Sequence, residues 1–168
     1  MKNNRICAFL TLQNMDEFVA YDHLVIPPLG ELGWSVVEIP WDQPGVDWTQ
    51  FDAVVIRSPW DYQDRPDQFL QVLSAIESSG TRLLNPLSIC QWNINKIYLR
   101  ELESKGIQIV PTRWPEQLTS NALNECFERF ACQKLVAKPT IGANADDTYV
   151  LQFESPETWN DALQVFSD

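Results

Sequence analysis

Short apolar runs alternate along this chain with stretches whose apolar positions recur every three or four residues. Ile6 to Leu12 is a run of the first kind and predicts a buried strand. Tyr21 to Leu32 has a helical apolar pattern, with Pro27 and Pro28 expected to bend the helix or delay its start, and Gly33 closing it. Trp34 to Ile39 predicts a second strand, ended by Pro40, and Gln43-Pro44-Gly45 a turn. Asp52 to Arg57 is almost continuously apolar, the pattern of a central strand in a parallel sheet. Asp64 and Pro66 then open a helix in which Phe69, Val72, Leu73 and Ile76 share one face, and Gly80 ends it before the short strand Arg82 to Leu84. This order predicts an open, mostly parallel α/β sheet with right-handed crossovers over residues 1–87.

The pattern changes over residues 88–168, where an α+β subdomain is expected. Leu87 to Trp92 reads as a short helical turn, Asn95 to Lys105 as a helix capped by Gly106, and Ile107 to Val110 as extended. Leu118 to Phe130 reads as a helix. Lys134 to Lys138 and Thr148 to Phe153 read as two strands joined by a small-residue loop. Ser155 with Pro156 behind it predicts the cap of a last helix, whose apolar face is Trp159, Ala162, Leu163 and Phe166.

A length of 168 residues suits one domain, or one domain and part of another. The net charge of -11 disfavours nucleic acid and anionic membrane surfaces, both of which select clustered Lys and Arg. A small anionic substrate stays compatible, because a few local cations dominate a pocket. Cys7, Cys90, Cys126 and Cys132 form no CxxC pair and read as buried or half-buried thiols of a reducing compartment. His23 alone makes no zinc cluster with them. The apolar run after the basic N-terminus is too short for a signal segment, and no window approaches a membrane span, so the expected location is the cytoplasm.

Two segments are suited to chemistry. Arg57-Ser58-Pro59-Trp60-Asp61-Tyr62 follows the predicted central strand directly, where ligands of open α/β sheets sit. Arg57 suits a carboxylate or phosphate, Ser58 a hydroxyl hydrogen bond, Trp60 and Tyr62 a pocket wall, and Asp61 an amine. The plainer alternative is a rim turn in which Arg57 pairs with Asp61 or Asp64. The second segment delivers Lys138 to a strand end, followed by Pro139 and a loop containing Gly142 and Ala143. A lysine beside closely approachable backbone is one way to hold a phosphate chain, and Lys96 upstream is a second cation for it. The alternative is a pair of solvated lysines, and the loop carries no GxxxxGK[ST] or GxGxxG signature. Asn144, Asp146 and Asp147 read as turn residues rather than metal ligands. Of the tryptophans, Trp34, Trp92 and Trp159 fit packing positions, and only Trp60 stands where a ligand would meet it.

Five motifs in order resemble ATP-grasp carboxylate–amine ligases. They are Val54 to Tyr62, Arg82-Leu83-Leu84-Asn85-Pro86, Trp92 to Leu99, Gly106 to Thr112, and Val136-Ala137-Lys138-Pro139. The similarity spans nearly the whole chain, in the branch that includes the O-ureidoserine cyclo-ligase of cycloserine biosynthesis and glutathione-synthetase-like enzymes. It implies an N-terminal substrate domain followed by part of the ATP-grasp lid. It implies ATP held by Lys96, Lys138 and the loop with Gly142 and Ala143. It implies small-molecule carboxylate and amine substrates, with Arg57, Ser58, Trp60, Asp61 and Tyr62 on the acceptor side. The family activates a carboxylate as an acyl phosphate for attack by an amine, with magnesium bridging the phosphates. The magnesium ligands would lie in a C-terminal catalytic domain, and none of the acidic residues here matches one. The chain is therefore expected to be the N-terminal portion of a ligase, truncated and inactive by itself. A rival expectation is a non-catalytic small-molecule-binding module with a Rossmann-like fold, working with a separate catalytic chain or as a homo-oligomer.

Overall fold

A strand with no polar interruption must be covered on both faces, and the computed structural model, which describes residues 5–16 and 18–167, shows how that is done. Four parallel strands lie in the order β2-β1-β3-β4: β1 is Arg5–Thr11, β2 Trp34–Pro40, β3 Ala53–Ser58 and β4 Arg82–Leu84. Ala8, Leu10 and Val54 project to one face, under helix α2 (Pro66–Ser78), whose Phe69, Leu73 and Ile76 meet them. The connection from β2 to β3 adds Trp41, Trp48 and Phe51 to that core, and Trp41 is completely buried. On the other face Cys7, Phe9 and Ala53 are covered by Ile26 and Leu29 of helix α1 (Ile26–Glu31). Helix α3 (Leu87–Asn93) packs back on the α2 side through Cys90.

The chain divides into two compact units, one ending at Ile94 and one beginning at Asn95. The second contains helices α4 (Tyr98–Ser104) and α5 (Ser120–Phe130). An antiparallel pair, β5 (Lys134–Ala137) and β6 (Tyr149–Gln152), is followed by a 3-10 turn and helix α6 (Asn160–Val165). Leu123 and Phe127 of α5, Leu151 of β6, Trp159 and Ala162 form its own core. Phe127 stacks on Trp159 with ring centroids 5.5 Å apart.

Of the two effects expected of Pro27 and Pro28, the delayed start is the one found: they stand in the first turn of α1, where their missing N–H groups cost nothing, and a separate 3-10 turn holds Asp22–Leu24 ahead of it. Other local expectations are corrected. The helix expected from Asn95 starts at Tyr98. Asn95 instead accepts from the Ile97 amide at 3.0 Å, and the Lys96 amide donates out of the helix to the Thr140 carbonyl at 2.7 Å. Ile107 to Val110 belongs to no helix or strand. Ser155 makes no side-chain cap, and its carbonyl accepts the Thr158 hydroxyl at 2.7 Å. Trp92 is 40% exposed, and Trp41 and Trp48 lie in the core of the first unit.

Candidate functional site

In the first unit the carboxyl ends of β1, β2 and β3 carry an open recess lined by Thr11, Gln13, Met15, Phe18, Glu38 and Ser58. The strand pairing prepares this edge. Leu10 pairs with Ile56, but Thr11 pairs with Ser58, so the ladder steps over Arg57. Ser58 is thereby buried, while Arg57 leans over the ring of Phe9, its guanidinium carbon 5.6 Å from the ring centre. Arg57 pairs with neither Asp61 nor Asp64. Its Nε donates to Asp22 Oδ1 at 2.7 Å, and its Nη2 donates to the same oxygen. Asp22 is 2% exposed, and its Oδ2 lies 3.4 Å from Ser58 Oγ. Asp61 is engaged as well: Trp41 Nε1 donates to Oδ1 at 2.6 Å and Arg65 to Oδ2 at 3.0 Å. Arg65 also donates to Asp42 at 2.9 Å and lies over Trp41, and hydrogen bonding to Asp42 leads the effects that hold its guanidinium protonated. A substrate amine at Asp61 would share that carboxylate with Arg65. Trp60 packs on Phe18 and Tyr62 on Phe69, each pair 5.4 Å between centroids. Burial pushes the Tyr62 phenol up from its ordinary pKa.

In the second unit Lys96, Lys138 and the loop after β5 come together. The proline after Lys138 ends the strand, and the chain turns back to β6 through positive φ at Asn144, Ala145 and Asp147. Lys96 Nζ donates to the Gly142 carbonyl at 3.0 Å and lies 3.5 Å from that of Thr140. Asn95 Nδ2 reaches Thr140 Oγ1 at 3.3 Å. Gly142 is required by space rather than by φ. A Cβ there would stand 2.9 Å from Pro139 Cγ and 3.7 Å from Lys96 Nζ. Burial lowers the Lys96 pKa, and the charge of Lys138 lowers it further, so the two ammonium groups sense each other. Neither lysine has a carboxylate partner among the described residues.

The residues singled out from sequence fall into two groups, Arg57 to Tyr62 in the first unit and Lys96, Lys138, Gly142 and Ala143 in the second. Asp22 escaped sequence reasoning. It lies 35 positions from Arg57, inside a stretch with a helical apolar pattern, and its only signal was an acid beside that pattern. No helix among the described residues is long and apolar enough to cross a membrane.

Residues 7–85 match the family model of the D-cycloserine synthetase DcsG N-terminal domain. The cycloserine biosynthesis protein DcsG of Streptomyces lavendulae is 33% identical over 130 residues, covering 73% of this chain and 43% of that protein. A crystal structure of D-cycloserine synthetase DcsG superposes with a TM-score of 0.75 at 27% identity, over 96% of this chain and 55% of that one. The chain is related to the N-terminal part of ATP-grasp ligases. A RimK domain ATP-grasp protein from Sphaerobacter thermophilus shares the fold at 14% identity, with a TM-score of 0.67 over 96% of this chain and 58% of its own. The parallel four-stranded sheet followed by a small antiparallel one is the arrangement of ATP-grasp N-terminal regions. The chain spans less than half of the curated DcsG relative and about half of the solved DcsG chain.

Proposed function

We propose that this chain is the N-terminal portion of an ATP-dependent carboxylate–amine ligase. The intact enzyme would join a small carboxylate to an amine through an acyl phosphate. The observation that carries the nucleotide reading is the Lys96 ammonium held 3.0 Å from the Gly142 carbonyl, near enough to Lys138 to sense its charge. Two like charges held near each other repel, and a polyphosphate between them relieves that repulsion. Lys96 and Lys138 would hold the phosphates, with the backbone of Gly142 and Ala143 closing over them. Phosphate chemistry fits this donor set. Magnesium does not: among the described residues no three His, Cys, Asp or Glu side chains stand together to hold a metal. No step through magnesium is drawn from these residues. On the acceptor side, Arg57 would face the substrate carboxylate, with Ser58 and Trp60 beside it.

Residues 1–168 alone are expected to bind nucleotide weakly and to show no turnover, because phosphoryl transfer needs positioned metal and charge together. Calorimetric titration of this chain with ATP tests the reading. Lys138→Ala should weaken binding at least about tenfold, the loss of one charge-assisted phosphate contact. Equal affinity in wild type and Lys138→Ala would overturn it.

A further inference from the structure

A buried carboxylate needs a charged, hydrogen-bonded partner, and Asp22 has found one with an unusual division of labour. Both contacts from Arg57, through Nε and Nη2, reach its Oδ1 along one edge of the guanidinium. Arginine has five N–H donors, and these contacts take two of them. Among the described residues the other three, on the Nη1 side, have no partner, and the side chain is 40% exposed. The guanidinium carbon lies over the ring of Phe9, 5.6 Å from its centre, and Phe9 is itself buried. The guanidinium is therefore held along one edge, and its other edge faces outward where a ligand can reach it.

We propose that Asp22 is a positioning residue, which orients Arg57 so that its outer edge receives the carboxylate of a small-molecule substrate. This rests on the reading of Arg57 as the acceptor-side cation. Arginine loses much rotamer freedom when fixed, and Asp22 makes the protein bear that loss on folding rather than on binding. A planar fork held in place also favours a planar oxyanion over a neutral amide of the same shape.

Acetate and acetamide serve as probes of the 168-residue chain, with the Ser58 backbone amide read by NMR in every variant. Wild type should respond to acetate and far less to acetamide, and Arg57→Ala should abolish the acetate response. Asp22→Asn should weaken acetate about tenfold and erase its advantage over acetamide, as expected when preorganisation is lost. A general loosening of the fold would lower both probes alike. Arg57→Ala abolishing the response while Asp22→Asn leaves affinity and selectivity unchanged overturns the positioning role and keeps Arg57 as the anion site. No acetate response in wild type, or an unchanged one in Arg57→Ala, overturns the reading of Arg57 itself. A measurement on wild type alone guards against a variant that fails to fold. The Arg57 Nε–H should exchange slowly with solvent in the absence of any ligand, and fast exchange overturns the proposal.

Discussion

The amine of Lys96 shows how a single group can be tuned by its surroundings. Burial and then the charge of Lys138 hold its pKa below the ordinary lysine value, so the folded state disfavours the protonated form. The sign follows from linkage. The stability tied to this group is present above the ordinary lysine value and is lost as pH falls through the lowered folded value. Lys138→Met removes the second cause. The Lys96 Cε resonance should then titrate at higher pH than in wild type, and a titration that does not move would separate the two ammonium groups. Phosphate binding should move Lys96 in the same direction, by compensating the charge instead of deleting it.

At the scale of elements, α5 carries one good end and one strained end. Thr119 accepts the Ala122 amide at 3.1 Å as its N-cap, while Ala131 closes the helix with φ of 46°, a conformation that glycine adopts without steric cost. Thr119→Ala should cost about 1 kcal/mol. Ala131→Gly should gain roughly 1 kcal/mol. Hydrogen exchange of the α5 amides measures both, with opposite signs expected. The legibility of the elements follows the same local logic. β1, β3 and α2 were readable because their burial is written in neighbouring residues. The start of α4 was not, because a carbonyl 44 positions away, that of Thr140, takes the Lys96 amide out of the helix. Asp22 was hidden for the same reason: its partner comes from another strand. The lysine cluster was half legible, since Pro139 and Gly142 announce a close turn but say nothing of Lys96 lying against it.

For the whole molecule, the decisive fact is that each unit owns a core, one built around Trp41 and Leu73 and the other around Leu151 and Trp159. Cooperative unfolding extends as far as a shared core does. Scanning calorimetry of the 168-residue chain should therefore give a calorimetric enthalpy larger than the van't Hoff value, and a ratio of one would join the units into a single cooperative block. The relation to ATP-grasp ligases fits this division, because the family model covers residues 7–85 of the first unit only. Within that unit, β1 and β3 close their ladder without residue 57. A different head group can therefore be mounted at that position on an unchanged sheet. Exchange of that one side chain, together with its companion at position 22, would change the charge offered at this edge and leave the strand pairing as it is.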